Sequence, residues 1–140
     1  MILKGGFHIW PELISFLTNN LAHDDKTIVE NSIQAISIIV EDCSSLFQQE
    51  EYYQVIYNMI PNIFRLLDAL QSESIKEHAI NTVNILLLTQ SPAIVEHMDS
   101  YAKHLLTMQF DQSAQVRWRI IQGINAVMEL RVEIILVILH

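Results

Sequence analysis

Apolar residues recur at steps of three and four over nearly the whole chain, the period of a helix with one buried face rather than the period of two that marks a strand. Gly and Pro, the strongest helix breakers, number only three each. Polar and turn-forming residues interrupt the pattern near Asn20 to Lys26, Cys43 to Glu51, Ala69 to Ser74, Gln90 to Pro92 and Phe110 to Ser113, and the intervals predict about six helices. Isolated helices below about 12 to 15 residues are marginal in water, so these segments have to share a core. The expected fold class is all-α.

The pattern repeats. Val29, Ile75 and Val116 occupy equivalent positions, 46 and 41 residues apart. Fourteen residues before each anchor lie Ser15, Pro61 and Ala102, and eight before it Leu21, Leu67 and Met108, all on the first helix of a pair. Four residues after each anchor lie Ile33, Ala79 and Ile120, and eleven after it Val40, Leu86 and Val127, which form one core face of the second helix. A two-helix unit of this period predicts a HEAT-repeat α-solenoid of three helical hairpins, spanning 10–43, 52–89 and 93–131. Residues 132–140 read as the start of a further repeat, and Ile2 to Gly6 as the tail of a preceding one. Neither end is polar enough to cap a solenoid, so the chain is expected to be a piece of a longer one. Ile134, Ile135, Leu136 and Ile138 are then expected to make the chain self-associate. In the third unit, Asp111 in the turn and Arg117 at the start of the second helix are expected to pair. Pro61 is expected to bend the helix that contains it.

Second helices line the concave wall of such a solenoid, so polar residues in a shared register mark a candidate partner-binding surface. Offsets of two, six, nine and thirteen from the anchors select Glu77, Asn81 and Asn84 in the second unit, and Trp118, Gln122, Asn125 and Glu129 in the third. Their steps of four, three and four place them on one helical face. The first unit offers Asn31, Ala35, Ile38 and Asp42 there, a less polar set. Trp118, between Arg117 and Arg119, is the candidate anchor. The plainer alternatives are a solvated face and a tryptophan folded back onto the core.

Charge and composition narrow the function. Eight Lys and Arg against sixteen Asp and Glu leave a net charge of -8, which repels a phosphate backbone, so nucleic acid is not an expected partner. A single cysteine, Cys43, permits neither an internal disulfide nor a cysteine-based zinc site and fits a reducing compartment. The apolar run from Ile134 to Leu139 is far short of the roughly 18 to 20 residues that span a bilayer, and Met1 to Trp10 lacks the pattern of a signal peptide. His97 and His104 lie two helical turns apart, roughly 10 Å, too far for one zinc ion that needs three or four converging ligands. Glu41-Asp42 and Glu50-Glu51 are adjacent carboxylates with no pocket between them, Gly5-Gly6 lacks a phosphate-loop continuation, and Cys43 has no neighbouring histidine to activate it. No catalytic residue, metal or cofactor is expected, and the chain reads as a non-enzymatic binding module.

Several short motifs add a family resemblance. Trp10-Pro11-Glu12-Leu13 through Val40-Glu41-Asp42, then Met59-Ile60-Pro61, His78-Ala79, Val83-Asn84, His97-Met98-Asp99-Ser100, Asp111 with Val116-Arg117, and Glu129 with Arg131 follow in one order along almost the whole chain. In that order the chain resembles the transportin family of karyopherin-beta nuclear transport receptors, in its N-terminal, Ran-binding half. The resemblance implies a receptor that shuttles between cytoplasm and nucleus, carries cargo proteins bearing nuclear localisation signals, contacts nucleoporins and releases cargo to the GTPase Ran in its GTP form. Trp118, Arg119 and Gln122 depart from the small or basic residues the family would place there. The alternative is a HEAT scaffold or regulatory subunit unrelated to nuclear transport, since the fold alone does not fix function.

Overall fold

The computed structural model describes residues 10–68 and 70–139. Six helices follow in order: α1 (Trp10–Asn20), α2 (Lys26–Asp42), α3 (Tyr53–Phe64), α4 (Glu73–Thr89), α5 (Pro92–Thr107) and α6 (Ala114–Leu139), with two short 3-10 turns between α2 and α3. No strand occurs among the described residues. The helices pair as α1 with α2, α3 with α4 and α5 with α6. First helices stack in the order α1, α3, α5, and second helices in the order α2, α4, α6. This two-layer stack of hairpins is the all-α, HEAT-type arrangement that the period predicts.

Local chemistry sets the helix starts. Asp25 caps α2 by accepting a hydrogen bond from the Thr27 amide at 2.9 Å. Ser72 does the same for α4 through the Ile75 amide, and Ser113 for α6 through the Val116 amide. Pro92 opens α5, where its missing N–H would have been unpartnered in any case. Between α4 and α5, Gln90 adopts a left-handed conformation at φ 55° that ends α4 and turns the chain. Asp68 closes the turn beyond α3 by accepting from the Leu70 amide.

The anchors Val29, Ile75 and Val116 are buried, as are the equivalent sets Leu21, Leu67 and Met108, Ile33, Ala79 and Ile120, and Val40, Leu86 and Val127. The earliest set behaves differently: Ser15 and Pro61 are exposed and Ala102 is half-buried. Ile14 and Ile60, each one residue earlier, turn to the core instead, so the repeat holds while the inward face of the first helix is rotated by one position. Helix α3 ends at Phe64, one turn beyond Pro61.

Two other expectations change. No turn occurs near Arg131, and α6 continues unbroken to Leu139. The reason is visible in the sequence: beyond Gly123 there is no glycine or proline to stop the helix. Of the termini, Ile2 to Gly6 and His140 lie outside the described residues.

Asp111 and Arg117 are neighbours, but their carboxylate and guanidinium do not pair. Arg117 donates instead to the backbone carbonyls of Asp111, at 2.6 Å, and Gln112, at 3.1 Å. The Asp111 carboxylate is taken by Lys76 of the preceding hairpin at 2.5 Å, with both side chains almost wholly buried, and it also accepts from the Ser113 amide. The turn aspartate therefore ties one hairpin to the previous one. Burial alone would raise the Asp111 carboxyl. Hydrogen bonds from Lys76 and the Ser113 amide, with the charges of Lys76 and Arg117, outweigh it and hold the group below the ordinary carboxylate value.

Two outcomes follow from this packing. Leu86 is fully buried on α4, so Leu86→Ala should cost about 2 to 5 kcal/mol in urea unfolding, through lost transfer energy and a residual cavity. A loss below about half a kcal/mol would contradict its core placement. For the buried pair, Asp111→Asn removes the carboxylate that accepts from Lys76 and from the Ser113 amide and should cost about 1 to 3 kcal/mol at neutral pH. Because the folded-state value is depressed, the stability from this carboxylate is present above about pH 4 and is lost as pH falls through the folded value. The acid limb of stability against pH should therefore be shallower in Asp111→Asn than in the parent chain. Identical limbs would contradict the pairing.

Candidate protein-binding groove

Helices α4 and α6 run parallel, as their contacts show in order: Glu77 meets Gln115, Asn84 meets the Arg119 backbone and Gln90 meets Glu133. A groove of about 330 Å³ lies along their outer faces. Asn81, Asn84, Ile85 and Leu88 line it from α4, and Arg119, Gln122, Asn125, Ala126 and Glu129 from α6. Five of the residues expected from the sequence, Asn81, Asn84, Gln122, Asn125 and Glu129, thus meet in one groove. Glu77 and Trp118 flank it at its N-terminal end without lining it.

The lining is a register. Asn81 and Gln122, Ile85 and Ala126, Leu88 and Glu129 stand at equal distances from the anchors Ile75 and Val116, so both helices show the groove the same face. The expected position nine residues from the anchor divides. Asn125 is exposed, whereas Asn84 is buried and turned into the body of the protein. Its amide donates to the Arg119 carbonyl at 3.1 Å, and its oxygen lies 2.6 Å from the Tyr101 hydroxyl, which donates to it. Asn84 spends its polar groups inside the protein because α6 packs over that position of α4.

This junction tolerates little change. Gly123 of α6 faces it, and a Cβ there would stand 2.6 Å from both Asn84 Oδ1 and Leu105 Cδ1, so the missing side chain is what lets α6 approach α4 and α5. The Tyr101 hydroxyl also lies 3.1 Å from the Ile80 carbonyl, and burial pushes its pKa well above the ordinary tyrosine value. Asn81 is likewise buried and held: its amide donates to Ser37 Oγ at 3.2 Å and to Glu41 Oε1 at 2.5 Å on α2. One edge of the Asn81 side chain remains part of the groove wall.

Arg119, which the sequence register skipped, organises the groove's entrance. It lies 3.7 Å from Glu77 Oε1, donates to Gln122 Oε1 at 3.1 Å, and places its guanidinium 5.0 Å from the centre of the Trp118 ring. Glu77 Oε1 also accepts from Gln115 at 3.1 Å. Trp118 is therefore neither free nor folded into the core: it is 51% exposed, with Arg119 against its ring. Among the described residues the Arg119 Nε atom has no hydrogen-bond partner. Asn125 and Glu129 hold no hydrogen bond to other described residues, so their groups point to the groove uncommitted. Ile85, Leu88 and Ala126 supply an apolar floor, and Leu88 is 68% exposed. Selecting for polar residues alone hid these three, although their spacing is the groove's own.

The groove's amides, the Glu129 carboxylate, the Arg119 guanidinium and an apolar floor fit a protein segment that offers backbone hydrogen bonds and a side chain for Leu88. No group of three metal-ligating side chains converges among the described residues. No helix among them is long and apolar enough to cross a membrane.

No family model matches the chain. Curated proteins do. Over 137 residues, 98% of this chain, it is 26% identical to transportin-1 of Mus musculus. It is 21% identical over 97% of its length to transportin of Dictyostelium discoideum, and 24% identical over 94% to importin subunit beta-2 of Schizosaccharomyces pombe. The chain spans only 14 to 15% of the length of these relatives. What it resembles is one short stretch of much longer transport receptors.

Proposed function

We propose that the chain is a segment of a transportin-like karyopherin-beta nuclear import receptor, and that its α4–α6 groove is part of the surface that meets Ran in its GTP form. The observation that carries this reading is the likeness, over nearly the entire chain, to transportins of animals and an amoeba and to importin subunit beta-2 of a yeast, at 21 to 26% identity. The packing supports it from a second side. Asn84 and Asp111, which belong to the motifs that carry the resemblance, sit at the hairpin-to-hairpin contacts, where they fix how adjacent second helices present the groove. On this reading cargo proteins with nuclear localisation signals and nucleoporins are partners of the longer receptor, which shuttles between cytoplasm and nucleus without catalysing a reaction. Net charge of -8 and the open Glu129 carboxylate favour a partner surface that is basic.

A single segment supplies a small part of a multi-repeat interface, so its own affinity should be weak, about millimolar. Nuclear magnetic resonance on the labelled chain reads affinities of that order. Added Ran loaded with GTP should shift the side-chain amide signals of Asn81 and Gln122 and the methyl signals of Leu88, and Ran loaded with GDP should leave them in place. Leu88→Ala with Gln122→Ala and Glu129→Ala should weaken the GTP-dependent response several-fold. Shifts that are equal for the two nucleotide states, or absent with Ran in millimolar excess, would contradict the assignment.

A further inference from the structure

Two amides line the α4–α6 groove from opposite walls at one place in the repeat. Asn81 and Gln122 each stand six residues beyond their anchors, Ile75 and Val116. Each amide has one end held by a charged neighbour. On α4, Asn81 Nδ2 donates to Ser37 Oγ at 3.2 Å and to Glu41 Oε1 at 2.5 Å, both on α2. On α6, Gln122 Oε1 accepts from the Arg119 guanidinium at 3.1 Å. The two neighbours are of opposite charge, so the amides are held in opposite senses. Asn81 keeps its oxygen for the groove and Gln122 its NH2 group, and neither atom has a partner among the described residues.

One acceptor and one donor are the complement of a peptide unit, whose N–H donates and whose C=O accepts. A helical partner spends both groups within itself, so only an extended segment offers them. The apolar floor adds a second requirement. Leu88 lies seven residues beyond Asn81 on α4, about 10 Å along the helix. An extended chain covers that distance in about three residues. Both walls of the groove belong to this chain, and Leu88 stays 68% exposed although α4 is flanked by α2 and α6.

We propose that the groove clamps one peptide unit of an extended protein segment, which rests on the reading of the groove as a partner-binding surface and names what enters it. Asn81 Oδ1 accepts from the segment's N–H, and Gln122 Nε2 donates to its C=O. An apolar side chain about three residues away packs on Leu88. Glu41 and Arg119 are positioning residues: they touch the two amides and fix which end each turns to the groove.

The probe is a capped, uncharged peptide of Ala and Ser with one Leu, titrated at millimolar concentration into the labelled chain. Nuclear magnetic resonance should show shifts of the Asn81 and Gln122 side-chain amides and of the Leu88 methyls. Methylating the peptide's backbone nitrogens one at a time should weaken binding about fivefold at a single position, about three residues from its Leu. Gln122→Glu still accepts from Arg119 but has no donor for the groove, so it should weaken binding several-fold with the helical circular dichroism unchanged. Glu41→Ala should weaken it too, and Glu41→Gln, which keeps an acceptor for Asn81, should restore it. Equal binding by the parent chain and Gln122→Glu, or of every methylated peptide, would overturn the clamp, as would a peptide that shifts none of these signals. A response to Ran loaded with GTP that Gln122→Glu leaves intact would overturn the clamp alone. A peptide response lost in Gln122→Glu, with no response to Ran in either nucleotide state, would uphold the clamp and remove only Ran as its partner.

Discussion

Helix α4 is packed against a second helix on each flank, α2 on one side and α6 on the other, and it has to bury polar side chains in doing so. Lys76, Asn81, Thr82, Asn84 and Thr89 are all buried along it. An unpartnered polar group in such a place costs about 1 to 3 kcal/mol, and an unpaired charge more; Thr82 and Thr89 donate to carbonyls of α4 itself, while Lys76, Asn81 and Asn84 must be met by neighbouring elements at a fixed height. Asp111 meets Lys76, Ser37 and Glu41 meet Asn81, and Tyr101 with the Arg119 carbonyl meets Asn84. Apolar packing alone would let adjacent hairpins slide by a turn; these contacts select one register. Everything the outer face shows depends on that choice.

The groove is a consequence of it. Asn84 and Gly123 set how closely α6 lies on α4, and that approach decides which residues are left between the helices on the open side. Glu77, Arg119 and Gln122 then form a chain of polar contacts at the entrance that keeps Trp118 turned outward under the guanidinium.

The helices, their pairing and most of the core were legible because one physical signal, apolar spacing, repeats three times in register. Caps at Asp25, Ser72 and Ser113 and the stop near Gln90 carry their own local signatures. What spacing does not encode is which neighbour a polar side chain finds. Asp111 has Arg117 six residues away in sequence, yet it pairs with Lys76 across 35 residues, a choice made by stacking. Asn84 and Asn125 share one position in the repeat and differ in role because only one of them has another helix on top. Helix α6 runs through the expected repeat boundary at Arg131 because no residue there breaks the helix. The likeness to transportins was visible in short motifs, several of which lie at contacts between hairpins rather than on the open face.

If the partnered burial of α4 holds the stack in register, then α4 is the last element to open. Amide hydrogen exchange measured residue by residue tests this directly. The account predicts that α4 amides from Ile80 to Leu87 exchange only through global unfolding, with α1 and the last two turns of α6 exchanging far sooner. Amides of α4 that exchange ahead of those in α2 and in the first half of α6, or hairpins that open one at a time with α4 among the early ones, would contradict it.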